Sequence, residues 1–193
     1  VHPEPKIATT KRVKLGAHFK GGITDFKKVE DDLRRLLGDT NAALITTMLD
    51  YYRLPNDFPG KLTLQGRNSR ERAQELEAAL ESHFNVGTRF LAYFMIHEFE
   101  ALLFSDPPVL ASVMNAPSSH SHLQAIRNGF QTPEEINDDP RTTPSARVLK
   151  LFPGYRKRLH GPLTTGRIGL TTMRRECTHV NQWVSRLENL GCA

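Results

Sequence analysis

Ala42-Ala-Leu-Ile-Thr-Thr-Met-Leu49, closed by Asp50, is the stretch on which the fold turns. A short apolar run with β-branched residues, bounded by Asn41 and Asp50, predicts a buried strand and not an amphipathic helix. Before it, Phe26, Val29, Leu33, Leu36 and Leu37 recur at helical spacing as far as Gly38, with Thr24 as the expected N-cap. Earlier still, residues 6–10 read as a short β-like stretch, and residues 11–22 as a basic, glycine-bearing loop. After it, Leu54-Pro-Asn-Asp-Phe-Pro-Gly60 must be a loop, because two prolines and a glycine leave neither ladder nor helix. Ala73, Leu76, Leu80 and Phe84 then share one face of a helix over residues 69–84, and Phe90-Leu-Ala-Tyr-Phe-Met-Ile96 is a second buried strand.

Strands alternating with helices predict an α/β fold, a parallel sheet with crossover helices. After His97 the pattern turns helical, over residues 98–104, 108–114, 122–130, 143–152 and 179–190. In the last of these Val180, Trp183, Val184 and Leu187 share a face, and Thr143 before Pro144 is an N-cap with proline at the first helical position. The expected organisation is an α/β part over residues 1–106 and a helical C-terminal part over residues 107–193 packed on it, with Pro107-Pro108 at the seam.

A chain of 193 residues fits one domain or one domain with an appendage. Its longest apolar run, residues 90–96, is far short of the ~20 residues that cross a bilayer. The opening Val1-His-Pro-Glu-Pro5 lacks the charged-then-apolar pattern of a secretory signal. Cys177 and Cys192 do not make a disulfide framework, so the expected compartment is a reducing cytoplasm. Lys and Arg number 26 against 21 acids, and the excess is segregated. Residues 5–23 carry Lys6, Lys11, Arg12, Lys14 and Lys20 with no acid, and residues 140–175 carry nine Lys or Arg with no acid. Such blocks attract phosphate, in nucleic acid or nucleotide, or else form an ordinary solvated surface.

Several common signatures fail. Gly16 and Gly21 have P-loop spacing, but Gly22 stands where the lysine belongs. His97-Glu98 opens like a zinc-protease helix, yet Ala101 occupies the second ligand position, and no G-x-S-x-G elbow occurs. Cys177 with His179 is a lone pair, not a four-ligand zinc site. What remains is carboxylates at strand ends. Asp50 closes the first buried strand, and the second runs into His97-Glu98-Phe99-Glu100. In open parallel sheets ligands bind beyond the carboxyl ends of the strands, where hard oxygens can hold Mg²⁺. Equally, Asp50 can cap a turn and Glu98 a helix N-terminus. Glu98 and Glu100, two apart on a helix, would point away from each other. Asp138-Asp139 before Pro140 reads as a turn.

Thr47-Met-Leu-Asp-Tyr-Tyr-Arg-Leu-Pro-Asn-Asp-Phe-Pro-Gly60, His97-Glu-Phe-Glu-Ala-Leu-Leu-Phe-Ser-Asp-Pro107, Ile136-Asn-Asp-Asp-Pro-Arg-Thr-Thr-Pro-Ser145 and Pro153-Gly-Tyr-Arg-Lys-Arg-Leu-His-Gly-Pro162 resemble the bacterial family called domain of unknown function 4276. Ile168-Gly-Leu170 and Cys177-Thr-His-Val-Asn-Gln-Trp183 extend the likeness to the end of the chain. The family is similar in outline to Toprim domains, the metal-binding folds of primases, topoisomerases and related nucleases. The resemblance implies a Toprim-like, Mg²⁺- or Mn²⁺-dependent nuclease or phosphoryl-transfer subunit, a hydrolase acting in phage defence beside an ATPase partner. It gives Asp50, Glu98 and Glu100 as catalytic and metal-holding residues, with Tyr52 standing where Toprim domains carry the second acid of an Asp-x-Asp pair. Lys11, Arg12, Lys14, Lys20, Gly21 and Gly22 are the expected phosphate-binding loop, with Arg141 and His160 as further candidates. Toprim domains open with a strand, a Val-Glu-Gly-like turn and a helix, so the resemblance also implies that this first unit lies ahead of Val1 and that the chain as written is catalytically incomplete. The alternative is a non-catalytic nucleic-acid- or partner-binding subunit of an ATPase complex.

Overall fold

The computed structural model describes residues 3–6, 23–52, 54–136, 139 and 141–190. The chain forms two compact units, Val1–Phe94 and Met95–Ala193. It is a mixed α/β protein, mostly helical, with two short parallel sheets.

In the first unit, helix α1 (Phe26–Leu37) buries Phe26, Val29, Leu33 and Leu37, one apolar stripe at helical spacing. Its N-cap is Asp25 and not the expected Thr24. The Asp25 carboxylate accepts the Lys28 N–H at 3.2 Å, and the Thr24 hydroxyl donates to that carboxylate at 2.8 Å. A carboxylate is the better acceptor at the positive end of a helix, and Thr24 is used to orient it. Helix α2 (Ser69–Phe84) has the expected bounds. It starts at Asn68, whose side chain accepts the Glu71 N–H at 2.9 Å, and ends at Asn85 in the left-handed region.

The two buried strands are present, each in two pieces. They are β1 (Ile45–Thr46) and β2 (Leu49–Asp50), then β3 (Phe90–Leu91) and β4 (Phe94–Met95). β1 lies parallel to β3 with Ile45 opposite Phe90, β2 pairs with β4, and α2 is the crossover between the paired segments. The interruption has a side-chain cause. The Thr47 hydroxyl donates to the Tyr93 carbonyl at 3.0 Å and accepts the Tyr93 N–H at 2.8 Å, occupying a ladder position that backbone would otherwise fill. Alternate N–H groups of the second segment face the other way. There Glu81 accepts the Ala92 N–H and Glu77 the Phe94 N–H, both at 3.0 Å, so carboxylates from α2 satisfy the strand edge.

The second unit opens with a 3-10 run, Phe99–Ser105. Helices α3 (Pro107–Val113), α4 (His120–Asn128), α5 (Pro144–Leu151), α6 (Lys157–Ile168), α7 (Leu170–Glu176) and α8 (Thr178–Leu190) follow. Leu103, Phe104, Leu110, Leu123, Ile136 and Val148 form its core. Thr143 caps α5 as expected, its hydroxyl accepting the Ala146 N–H at 3.2 Å, with Pro144 in the first turn. The compact units divide between Phe94 and Met95, ahead of the Pro107-Pro108 seam read from sequence, because the Phe99–Ser105 run packs with α3, α4, α5, α6 and α7.

Helices α6 and α7 fall outside the sequence reading, since Gly161-Pro162, Gly166 and Gly169 all look like breakers. The helix tolerates Pro162 at the cost of one backbone donor in its second turn. Gly161 is tightly packed: a Cβ there would stand 3.1 Å from the Phe99 ring and 3.3 Å from the Tyr155 hydroxyl. Gly169, with φ 77°, separates α6 from α7. A Cβ at Gly166 would meet nothing within 4 Å, and the backbone there is helical. Gly166→Ala is therefore expected to stabilise the protein by about 0.5–1 kcal/mol. Gly161→Ala is expected to destabilise it, because overpacking costs about 1–3 kcal/mol and outweighs the helix gain. Thermal unfolding of both variants checks the contrast.

Candidate functional site

The loop preceding α6 turns Tyr155 inward, where it is buried, while Arg156, Lys157 and Arg158 start the helix on the surface. Lys157 reaches back from the first turn of α6 to Glu100, its Nζ 3.0 Å from Oε1 and 3.1 Å from Oε2. Glu100 is 2% exposed and Lys157 58%, so the carboxylate is dry and its cation is half in water. The Tyr155 hydroxyl also donates to Glu100, at 3.4 Å. Burial, with Glu100 and then Glu98 close by, pushes the Tyr155 phenol above its ordinary range, so it stays a neutral donor. Glu98 accepts the Ser145 N–H at 3.0 Å in the first turn of α5. The His160 ring lies 5.8 Å from the Tyr155 ring, and its Nδ1 accepts the Arg156 N–H at 2.9 Å. Three of the sequence segments singled out above (97–107, 136–145 and 153–162) thus meet around Glu98, Glu100 and Tyr155.

The expected site residues fall into three groups. Glu98, Glu100 and His160 belong to this cluster of the second unit. Arg141 lies in the same unit, exposed and paired with Asp139 at 3.3 Å; its backbone N–H and guanidinium together hold the Asp139 carboxyl below its usual range. Asp50 ends β2 in the first unit, exposed. Lys11, Arg12, Lys14, Lys20, Gly21 and Gly22 lie outside the described residues.

Glu98 and Glu100 serve separate protein donors, an amide and an ammonium-phenol pair. Among the described residues no group of three or more His, Cys, Asp or Glu side chains stands together as a metal-binding set. Glu98 and Glu100, each taken up by protein donors, do not by themselves make a site for the ion.

Lys157 and Tyr155 escaped the sequence reading, although both lie inside a segment it had singled out. The missing signal was the buried partner, 57 residues away for Lys157. Glu134 is a second buried carboxylate that was not anticipated. Its oxygens accept the His179 N–H at 2.9 Å and the Val180 N–H at 3.0 Å, capping α8 from 45 residues away. Cys177, beside it, is buried and bonded to the Ser105 hydroxyl at 3.4 Å. Burial, with help from the Glu134 charge, raises its thiol to about 12, so it is no nucleophile at neutral pH.

Much of the positive charge of this unit reaches solvent. Lys150, Arg156, Arg158 and Arg167 are exposed. None of the four makes an ion pair among the described residues, whereas Lys157, Arg127, Arg141, Arg174 and Arg175 do. Among the described residues no helix is long and apolar enough to cross a membrane. No curated protein and no solved structure matches the chain. A family model, described as domain of unknown function (DUF4276), matches residues 3–188, and the chain belongs to that family.

Proposed function

We propose that the second unit binds the phosphate backbone of nucleic acid through its exposed cations. The observation that carries this reading is the acid-free stretch from Pro140 to Arg175, in which Lys150, Arg156, Arg158 and Arg167 face water with no ion pair to a carboxylate among the described residues. Electrostatic free energy is left unspent on such a surface, and a polyanion gains it by releasing its counterions. The Glu98, Glu100 and Tyr155 cluster has a structural part in this account: it fixes the start of α6, and hence where Arg156 and Arg158 project. Fluorescence anisotropy of a labelled oligonucleotide with the full chain, at low salt and in EDTA, tests the reading. Binding without a divalent ion is expected, and its absence contradicts the proposal.

The second reading is a Toprim-like fold working as a Mg²⁺- or Mn²⁺-dependent nuclease or phosphoryl-transfer subunit. It is favoured by the position of Asp50 at the carboxyl end of β2, where open parallel sheets bind ligands. Metal-dependent nicking of a plasmid that is lost in Asp50→Ala would support it, and activity surviving that substitution would remove Asp50 from the mechanism. An ATPase partner acting in phage defence, within a reducing cytoplasm, belongs to both readings. Co-purification of an ATPase with the tagged full chain tests that part.

A further inference from the structure

The outward face of α6 is not uniformly charged. Leu159 is 47% exposed and Leu163 is 43% exposed. They are four residues apart and so are neighbours on the helix surface. Gly161, Thr164 and Ile168 mark the buried side of the helix. At about 100° per residue, Leu159 and Leu163 sit opposite that buried side, with Arg158 on one flank and Arg167 on the other. A lone exposed leucine is ordinary, but two adjacent ones between guanidinium groups that make no ion pair among the described residues form a mixed surface, an apolar strip with cationic rims.

We infer that this face of α6 is fitted to single-stranded nucleic acid in preference to duplex. The inference rests on the phosphate-binding reading above and names its substrate class. A duplex presents its charged backbones outward and keeps its base faces stacked inside. Docked on α6, it would satisfy Arg158 and Arg167 but set phosphates against the two leucines. A single strand offers both chemistries along one chain: phosphates for the rims, and unstacked base faces for the apolar strip and for the guanidinium planes. Charge complementarity thus selects a polyanion, and the leucines select one whose bases are accessible.

The experiment compares full-chain binding to a single-stranded DNA and to the duplex of the same sequence and length, by anisotropy in EDTA at low salt. The single strand is expected to bind at least tenfold tighter. Leu159→Ser with Leu163→Ser is expected to reduce that preference about tenfold, by weakening single-strand binding with no loss of duplex affinity, and to leave the salt dependence unchanged. Equal or tighter duplex binding overturns the inference while leaving phosphate binding intact. A wild-type preference that the double variant retains overturns the role of the leucines. No binding to either DNA overturns the phosphate-binding reading as well. Binding to anionic phosphatidylserine vesicles but to neither DNA would instead assign the strip to a lipid surface. The wild-type comparison needs no variant, and circular dichroism checks that the serine variant is folded.

Discussion

Reversing Arg156, Arg158 and Arg167 together to glutamate is expected to weaken nucleic-acid binding by at least a hundredfold near 0.1 M salt. Three exposed side chains without ion pairs among the described residues are removed, and three charges of the same sign as phosphate are put in their place. None of the three side chains is buried, so the fold should survive. Lys27→Glu is the control. Lys27 is exposed too, but its charge is already answered by Asp31 at 2.7 Å and Glu30 at 3.7 Å. A new acid in the first turn of α1 also suits the helix dipole. That control should change affinity by no more than about threefold, the scale of a distant charge screened by salt. A control loss about one third as large, on a logarithmic scale, as that of the triple variant would match the charge changed and mean that net charge, and not the α6 surface, governs binding.

Glu134→Ala should produce the largest loss of stability from a single polar side chain. Glu134 is buried, and its carboxylate holds two amides at the start of α8. Truncation would leave both N–H groups buried without acceptors, each at a cost of about 1–3 kcal/mol, and would remove a negative charge from the positive end of the helix. A total of about 2–6 kcal/mol is expected. Glu134→Gln, which keeps one acceptor oxygen, should lose roughly half as much. Trp183, the chain's single tryptophan, lies in α8 and reports the transition in urea. A loss below about 0.5 kcal/mol, the size of an ordinary surface substitution, would show that the cap contributes little.

The sequence carried the local signals well. α2 was legible from its apolar period alone, and the caps at Asn68 and Asn85 agree with it. The cap of α5 was legible for the same reason, as Thr143-Pro144 is a local device. The buried strands were legible as apolar runs, but not their interruption. That depends on the hydroxyl of Thr47 meeting Tyr93, 46 residues away. α6 was hidden because Gly161-Pro162 is a breaker by propensity, and tertiary packing against Phe99 and Tyr155 overrides it. The candidate site shows the same division. The segments bearing Glu98, Glu100 and Tyr155 stood out in the sequence, yet their pairing is a property of the folded unit. Carboxylates at strand ends looked like metal ligands. Glu98 and Glu100 hold an amide and an ammonium, a use that strand position and burial alone do not distinguish from metal binding.

The most direct measurement is the salt dependence of oligonucleotide binding by the full chain in EDTA. If Lys150, Arg156, Arg158 and Arg167 contact phosphates, the logarithm of affinity falls linearly with the logarithm of salt, with a slope of about −3 for a single strand, about 0.7 per phosphate contact. Each arginine replaced by alanine reduces that slope by about 0.7. A slope indistinguishable from zero, or no binding at the lowest salt tested, contradicts the account.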